Sequence, residues 1–327
     1  MPDPRITTLK PACAITGGRV ALFGSDLPVG LHVPTVRVGA TPARVVFASS
    51  NELDVLVSTD ESGSLPVQVD GVAETVVVEV GARLATGLHQ VDSPVFDHAG
   101  NLFLTYSGTR GQQVPVSIFR VGPNGTRESF SSTVTNPTSM AVSPDGRLFV
   151  SSRFEGAVYR LADDGSAEVY VADLGIACGL AFSPDGRLFV GDRSGTVFEV
   201  SRDGQARIFA TLPSSVAAFH LAMGSDGLYV TAPTLSARDA IYRIALTGEV
   251  SVYHAGFGRP QGIGFSPDGT LHVIEALAGV SGLYRLPVGA DPELIVSGQR
   301  LVGFTFSPRG DLIVCSGDTA YRLPVAH

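Results

Sequence analysis

One phrase recurs through the last three-quarters of this chain and restricts its fold more than any other feature. Ser143-Pro144-Asp145-Gly146-Arg147-Leu148-Phe149-Val150 returns as Ser183-Pro184-Asp185-Gly186-Arg187-Leu188-Phe189-Val190 and as Ser266-Pro267-Asp268-Gly269-Thr270-Leu271-His272-Val273. Weaker copies stand at Ser225-Asp226-Gly227, Ser307-Pro308-Arg309-Gly310 and Asp97-His98-Ala99-Gly100. With glycines 100, 146, 186, 227, 269 and 310 as markers, the steps are 46, 40, 41, 42 and 41 residues. Six copies of about 40 residues is the period of a β-propeller blade. Each copy carries an apolar run, a glycine turn, Asp-Gly in four copies, that needs positive φ, and a second apolar run, and four copies have a third strand ending in Tyr-Arg, as in Val158-Tyr159-Arg160.

The last copy ends near His327 without a fourth strand, whereas Ala82-Arg83-Leu84-Ala85-Thr86-Gly87 reads like the fourth strands of other copies. Residues 82–87 are therefore expected to close the sixth blade and remove an exposed sheet edge. Before Gly81 the period vanishes, but short strands continue, among them Arg19–Gly24, Ala43–Phe47 and Thr75–Val80. The fold expected is all-β: a small immunoglobulin-like sandwich over 1–81 and a six-bladed propeller over 82–327.

A net charge of −8 with no basic cluster argues against a nucleic-acid partner. No apolar run approaches the ~20 residues that span a bilayer, so no membrane partner is expected. Cys13, Cys178 and Cys315 are odd in number and far apart, which points to reduced thiols and a cytoplasmic setting.

The string from Gly17 through Leu27, followed by Val36-Arg37-Val38-Gly39-Ala40-Thr41-Pro42 and Ser49-Ser50-Asn51-Glu52-Leu53, resembles the TIG immunoglobulin-like family. That resemblance implies a spacer or a surface for a protein partner. The blades, through Pro260-Gln261-Gly262-Ile263-Gly264-Phe265 and the Ser-Pro-Asp-Gly phrase, resemble the senescence marker protein/gluconolactonase and NHL-type six-bladed propellers. That resemblance implies a lactone or ester hydrolase whose divalent cation (Ca, Mg or Zn) is held by oxygen ligands in the channel.

Residues eight before each marker glycine enter the ring at one face: Asp92, Thr138, Cys178, Phe219, Gln261 and Val302. A second ring follows the second strand: Tyr106, Ser152, Asp192, Ala232, Glu275 and Ser316. Asp92 stands at the position of the gluconolactonase glutamate, and Glu275 follows Gln261 at a spacing that resembles the streptogramin lyases. The candidate set is Asp92, Glu275 and His220 for catalysis, with Asp92 and Glu275 as metal ligands. Thr138, Arg153, Asp192, Arg193 and Gln261 would bind a small ligand of anionic character, since arginine forks suit carboxylates. Asp92, His220, Gln261 and Glu275 are expected to converge at the channel mouth. Three functions stay open: a lactonase-like hydrolase, a ligand- or protein-binding propeller without turnover, and a streptogramin-lyase-like enzyme.

Overall fold

A computed structural model describes residues 3–324 as strands and turns, with no helix among them. Six four-stranded blades follow one another around a central channel. The inner strands are Val95–Phe96, Pro137–Val142, Ala177–Phe182, His220–Gly224, Pro260–Phe265 and Leu301–Phe306. Each blade is a meander in sequence order except the sixth, whose outer strand is Ala82–Thr86, antiparallel to Thr319–Leu323. The ring is thus closed by chain that precedes it.

The repeated phrase does two jobs. Ser143 and Arg147 share a backbone hydrogen bond around the three-residue loop Pro144-Asp145-Gly146, with Gly146 at φ 86°. This is a wider hairpin than the two-residue turn usually associated with Asp-Gly, and the left-handed glycine is what lets it close. The Ser143 hydroxyl donates to the Asp145 carboxylate and holds it below its ordinary pKa. An aromatic residue two or three places after the marker glycine then packs between blades in several copies. Phe149 meets Phe182 of the next blade at 5.0 Å between centroids, and Tyr229 meets Phe265 at 5.2 Å. Alternation along the strand, one face toward each neighbouring blade, is what makes a run of buried apolar residues necessary on the inner strands.

The N-terminal strands form two layers around an aliphatic core of Val20, Leu22, Val36, Leu53, Val55, Val67 and Val78. Thr41–Ala48 passes between the layers, pairing first with Val36–Val38 and then with Glu52–Leu56. A two-residue strand, Cys13–Ala14, joins this sandwich to the propeller. It runs parallel to Val76–Val80 on one side and to Glu293–Ser297, the outer strand of blade five, on the other. Ile15 is buried among Ile274, Leu283, Val296, Leu301 and Leu323 of blades five and six. The Arg19 amide donates to Ser297 Oγ at 2.7 Å. The two parts share a continuous sheet and a core cluster.

Candidate functional site

Blade one departs from the pattern of the other five, and that departure shapes the channel. Its regular inner strand is only Val95–Phe96, because the preceding chain pairs out of register, with His89 bridging to Tyr106 and the amides of Leu88 and Gln90 donating to Asp318 and Gly317 of blade six. The Gln90 side chain substitutes for the missing strand: its Oε1 accepts hydrogen bonds from the amide and the hydroxyl of Thr105, the latter at 2.6 Å. Asp92 is thereby released toward the channel axis.

Asp92 meets His220 there. His220 Nδ1 lies 2.7 Å from Asp92 Oδ1, which also accepts the Ser93 amide at 2.7 Å. Asp92 belongs to blade one and His220 to blade four, which stand opposite one another in a ring of six, so the bond crosses the channel. Both residues are buried, His220 completely, and His220 Nε2 has no hydrogen-bond partner among the described residues.

On one side of this bar lies a mouth of about 280 Å³, lined by Gln90, Thr138, Arg153, Cys178, Arg193 and Gln261 together with the apolar segment Val216-Ala217-Ala218. Arg193 is fixed by donating to the carbonyls of Ser215 at 3.2 Å and Val216 at 2.8 Å. Arg153 makes no hydrogen bond and no ion pair among the described residues. Burial, and then the charge of Arg193, lower its pKa. Thr138 donates to the Asn136 carbonyl at 3.2 Å. Burial and the nearby Arg153 charge likewise lower the pKa of His89, at the entry to the same loop. The Cys178 thiol is pushed up to about 11, chiefly by burial.

Of the four residues expected to converge, Asp92 and His220 meet. Gln261 lines the arginine-bearing mouth, whereas Asp92 lines the cavity at the opposite end. Glu275 serves its own blade: its carboxylate accepts the amides of Gly258 at 2.6 Å, Arg259 at 2.8 Å and Leu277 at 2.7 Å. Asp192 does the same for its loop, accepting the Ile176 amide at 2.8 Å and the Ser194 hydroxyl. Ser152, at the equivalent place, donates to the Thr135 carbonyl at 2.5 Å. In these three blades the ring position therefore anchors the loop entering the inner strand. Neither arginine pairs with a carboxylate among the described residues, and the nearby Glu155 accepts the Tyr159 hydroxyl at 2.8 Å.

The donor set does not fit a resident divalent cation. Such ions want several free oxygen ligands. Glu275 has both oxygens occupied by N–H groups, and Asp92 has one oxygen taken by two donors. Among the described residues no group of three or more His, Cys, Asp or Glu side chains is arranged to hold a metal. Gln90 and the Val216–Ala218 segment could not be named from the sequence, because neither lies on the strand register that repeats.

Similar solved structures share the fold. An auxiliary nutrient binding protein from Bacteroides ovatus aligns over 100% of this chain and 99% of its own, with 12% identity and a TM-score of 0.58. A gluconolactonase-like propeller aligns over 75% of this chain and 91% of its own, with 17% identity and a TM-score of 0.61. Virginiamycin B lyase from Staphylococcus aureus aligns over 75% and 87%, with 15% identity and a TM-score of 0.53. No curated protein matches the sequence. Residues 4–83 match the IPT/TIG domain family, and the chain is thus a β-propeller of the architecture shared by gluconolactonase-like proteins and streptogramin lyases, preceded by a TIG domain.

Proposed function

We propose that this chain binds a small anionic molecule, a carboxylate on an apolar body, in the arginine-bearing mouth and does not convert it. One observation carries the reading: Arg153 is a guanidinium without a partner among the described residues, lining the same cavity as Arg193 and Gln261. A cationic fork held without its own counter-ion is a site arranged for a ligand's charge, and the flanking Val216, Ala217, Ala218 and Val302 suit an apolar body. The groups a hydrolase would need are engaged elsewhere. Glu275 and Asp192 hold backbone amides, and the Cys178 thiol, raised by burial, is not a ready nucleophile. The full-length structural neighbours named as nutrient binding proteins are consistent with binding. In this proposal the boundary falls near Gly81, and the sandwich is a spacer or protein-contact module.

Calorimetry with benzoate and other monocarboxylates tests the reading, alongside NMR assays for consumption of lactones and esters. Saturable binding that is lost in Arg153→Ala, with no substrate consumed, is the expected result. Turnover of a lactone or ester by the wild type, abolished in Arg153→Ala, would overturn it in favour of a hydrolase.

A further inference from the structure

The cavity beyond the Asp92–His220 bar has the opposite chemistry. It measures about 340 Å³ and opens where the inner strands end, on the face that carries the Ser-Pro-Asp-Gly turns. Asp92 is its one charged lining residue, and the walls include Phe182, Met223, Phe265, Phe304 and Phe306. Phe304 and Phe306 stand 5.9 Å apart in an edge arrangement, and Phe265 belongs to another aromatic pair with Tyr229. The Asp92 side chain is 7% exposed. Its Oδ1 is saturated by the Ser93 amide and by His220 Nδ1, whereas Oδ2 takes no hydrogen bond among the described residues.

The side chain is thus largely withdrawn from water while Oδ2 stays open to the cavity, and among the described residues no arginine or lysine lines this cavity to pair with it. Aromatic rings and methionine sulfur are poor company for an anion but good company for an organic cation, which they attract through the ring quadrupole and through polarisability. The contact with His220 Nδ1 engages Oδ1 and leaves Oδ2 as a free acceptor, suited to a cationic head group.

We propose that this second mouth is a binding site for a small organic ammonium, its charged head on Asp92 Oδ2 and its apolar substituents among Phe182, Met223, Phe265, Phe304 and Phe306. The site is separate from the arginine-bearing mouth and stands whether or not that mouth binds an anion. The channel would then accept ligands of opposite charge at its two ends, kept apart by the Asp92–His220 bond.

Titration of the full chain with benzyltrimethylammonium chloride, followed by calorimetry and by methionine-methyl NMR, tests this, with benzyl alcohol as the neutral control. Expected are saturable binding of the cation at least tenfold tighter than of the alcohol, and shifts confined to Met140 and Met223. Asp92→Asn is expected to weaken it at least tenfold. Because that substitution also touches His220, Met223→Lys is the second variant: it sets a cation at the rim, leaves the bar intact, and should weaken binding as much. Arg153→Ala should leave it unchanged. Equal affinity for cation and alcohol, or cation binding that survives both Asp92→Asn and Met223→Lys, would overturn the assignment, as would its loss in Arg153→Ala.

Discussion

Replacing Arg153 by methionine should move stability and affinity in opposite directions. In the folded chain this guanidinium is partly withdrawn from water, finds no acceptor in return among the described residues, and sits near Arg193; burial and that like charge both disfavour its charged form. Folding thus places the charge somewhere worse than solvent. Methionine keeps much of the stem's packing and removes the mismatch. Discounted for residual exposure, the gain is about 0.5–1 kcal/mol, the usual range for relieving an unfavourable surface charge. In a chain of this size that raises Tm by roughly 1–3 °C. Affinity should fall, because a charge-assisted hydrogen bond to a ligand carboxylate contributes about 1.5–3 kcal/mol, or roughly ten- to 150-fold in Kd. Arg153→Lys should fall between the two, since it keeps the charge and loses the planar fork. Thermal melts with and without benzoate, paired with calorimetry, read both quantities. A lowered Tm with unchanged affinity would show that Arg153 is a structural residue and refute the reasoning.

Other consequences are checked more simply. Ile15→Ala should cost about 2–5 kcal/mol, because the side chain fills the core shared with blades five and six; denaturation followed at separate probes in the sandwich and the propeller should give one transition. Glu275→Gln should cost about 1.5–3 kcal/mol by weakening three amide bonds, yet leave benzoate affinity within twofold, as calorimetry would show. Alkali should destabilise the fold. The thiols of Cys13, Cys178 and Cys315 and the phenols of Tyr159, Tyr229 and Tyr284 have raised pKa values, Cys178 to about 11 and the three tyrosines to about 12. Above pH 9 the unfolded chain loses these protons first, so stability present below that pH declines as it rises toward 12. Melts across pH 8–12 should show Tm falling monotonically above pH 9, and a thiol reagent at pH 8 should label no cysteine until the chain unfolds.

The blade count and the closing strand were legible because they rest on local chemistry repeated six times. A glycine at positive φ announces the first hairpin of each blade, after Ser-Pro-Asp in three of them, and a missing fourth strand after Tyr321-Arg322-Leu323 requires a substitute, which Ala82–Thr86 provides. The bridge at Cys13–Ala14 left no such trace: two residues carry no periodicity, and the partner strand lies some 280 positions away. The ring formed by Ser152, Asp192, Glu275 and Ser316 was visible as a set, but its work was not. Side chains as different as serine and glutamate satisfy the same need at Ser152, Asp192 and Glu275, a polar group for the loop entering the inner strand, whereas Ser316 accepts the Thr319 amide within its own turn.

Asp92 shows most clearly where register reasoning stops. Counting back from the marker glycine puts Asp92 level with Thr138 and Gln261, and in backbone register it is: Val95 faces Phe103 as Ala141 faces Phe149. The other blades begin their inner strands at or near that level, with Pro137, Ala177 and Pro260 already paired across to Ser152, Asp192 and Glu275. In blade one the Gln90 side chain accepts from the Thr105 amide and hydroxyl while the His89 amide donates to the Thr105 carbonyl, so the backbone after Gln90 is free to turn inward. A side-chain amide standing in for a strand carbonyl has no sequence pattern of its own. Its result is a carboxylate that crosses the channel to His220 and divides one conduit into two mouths, arginine-bearing at one end and aromatic with a single carboxylate at the other. Gln90→Ala should therefore act at a distance. With Thr105 deprived of its acceptor, blade one loses about 1–3 kcal/mol, and the loop that aims Asp92 loses its anchor. Cation binding at the aromatic end should weaken although Gln90 does not line that cavity, while Glu275→Gln, equally buried and equally disruptive of backbone bonds, should leave it intact. Equal responses from the two variants would mean that general destabilisation, and not the placement of Asp92, governs the site.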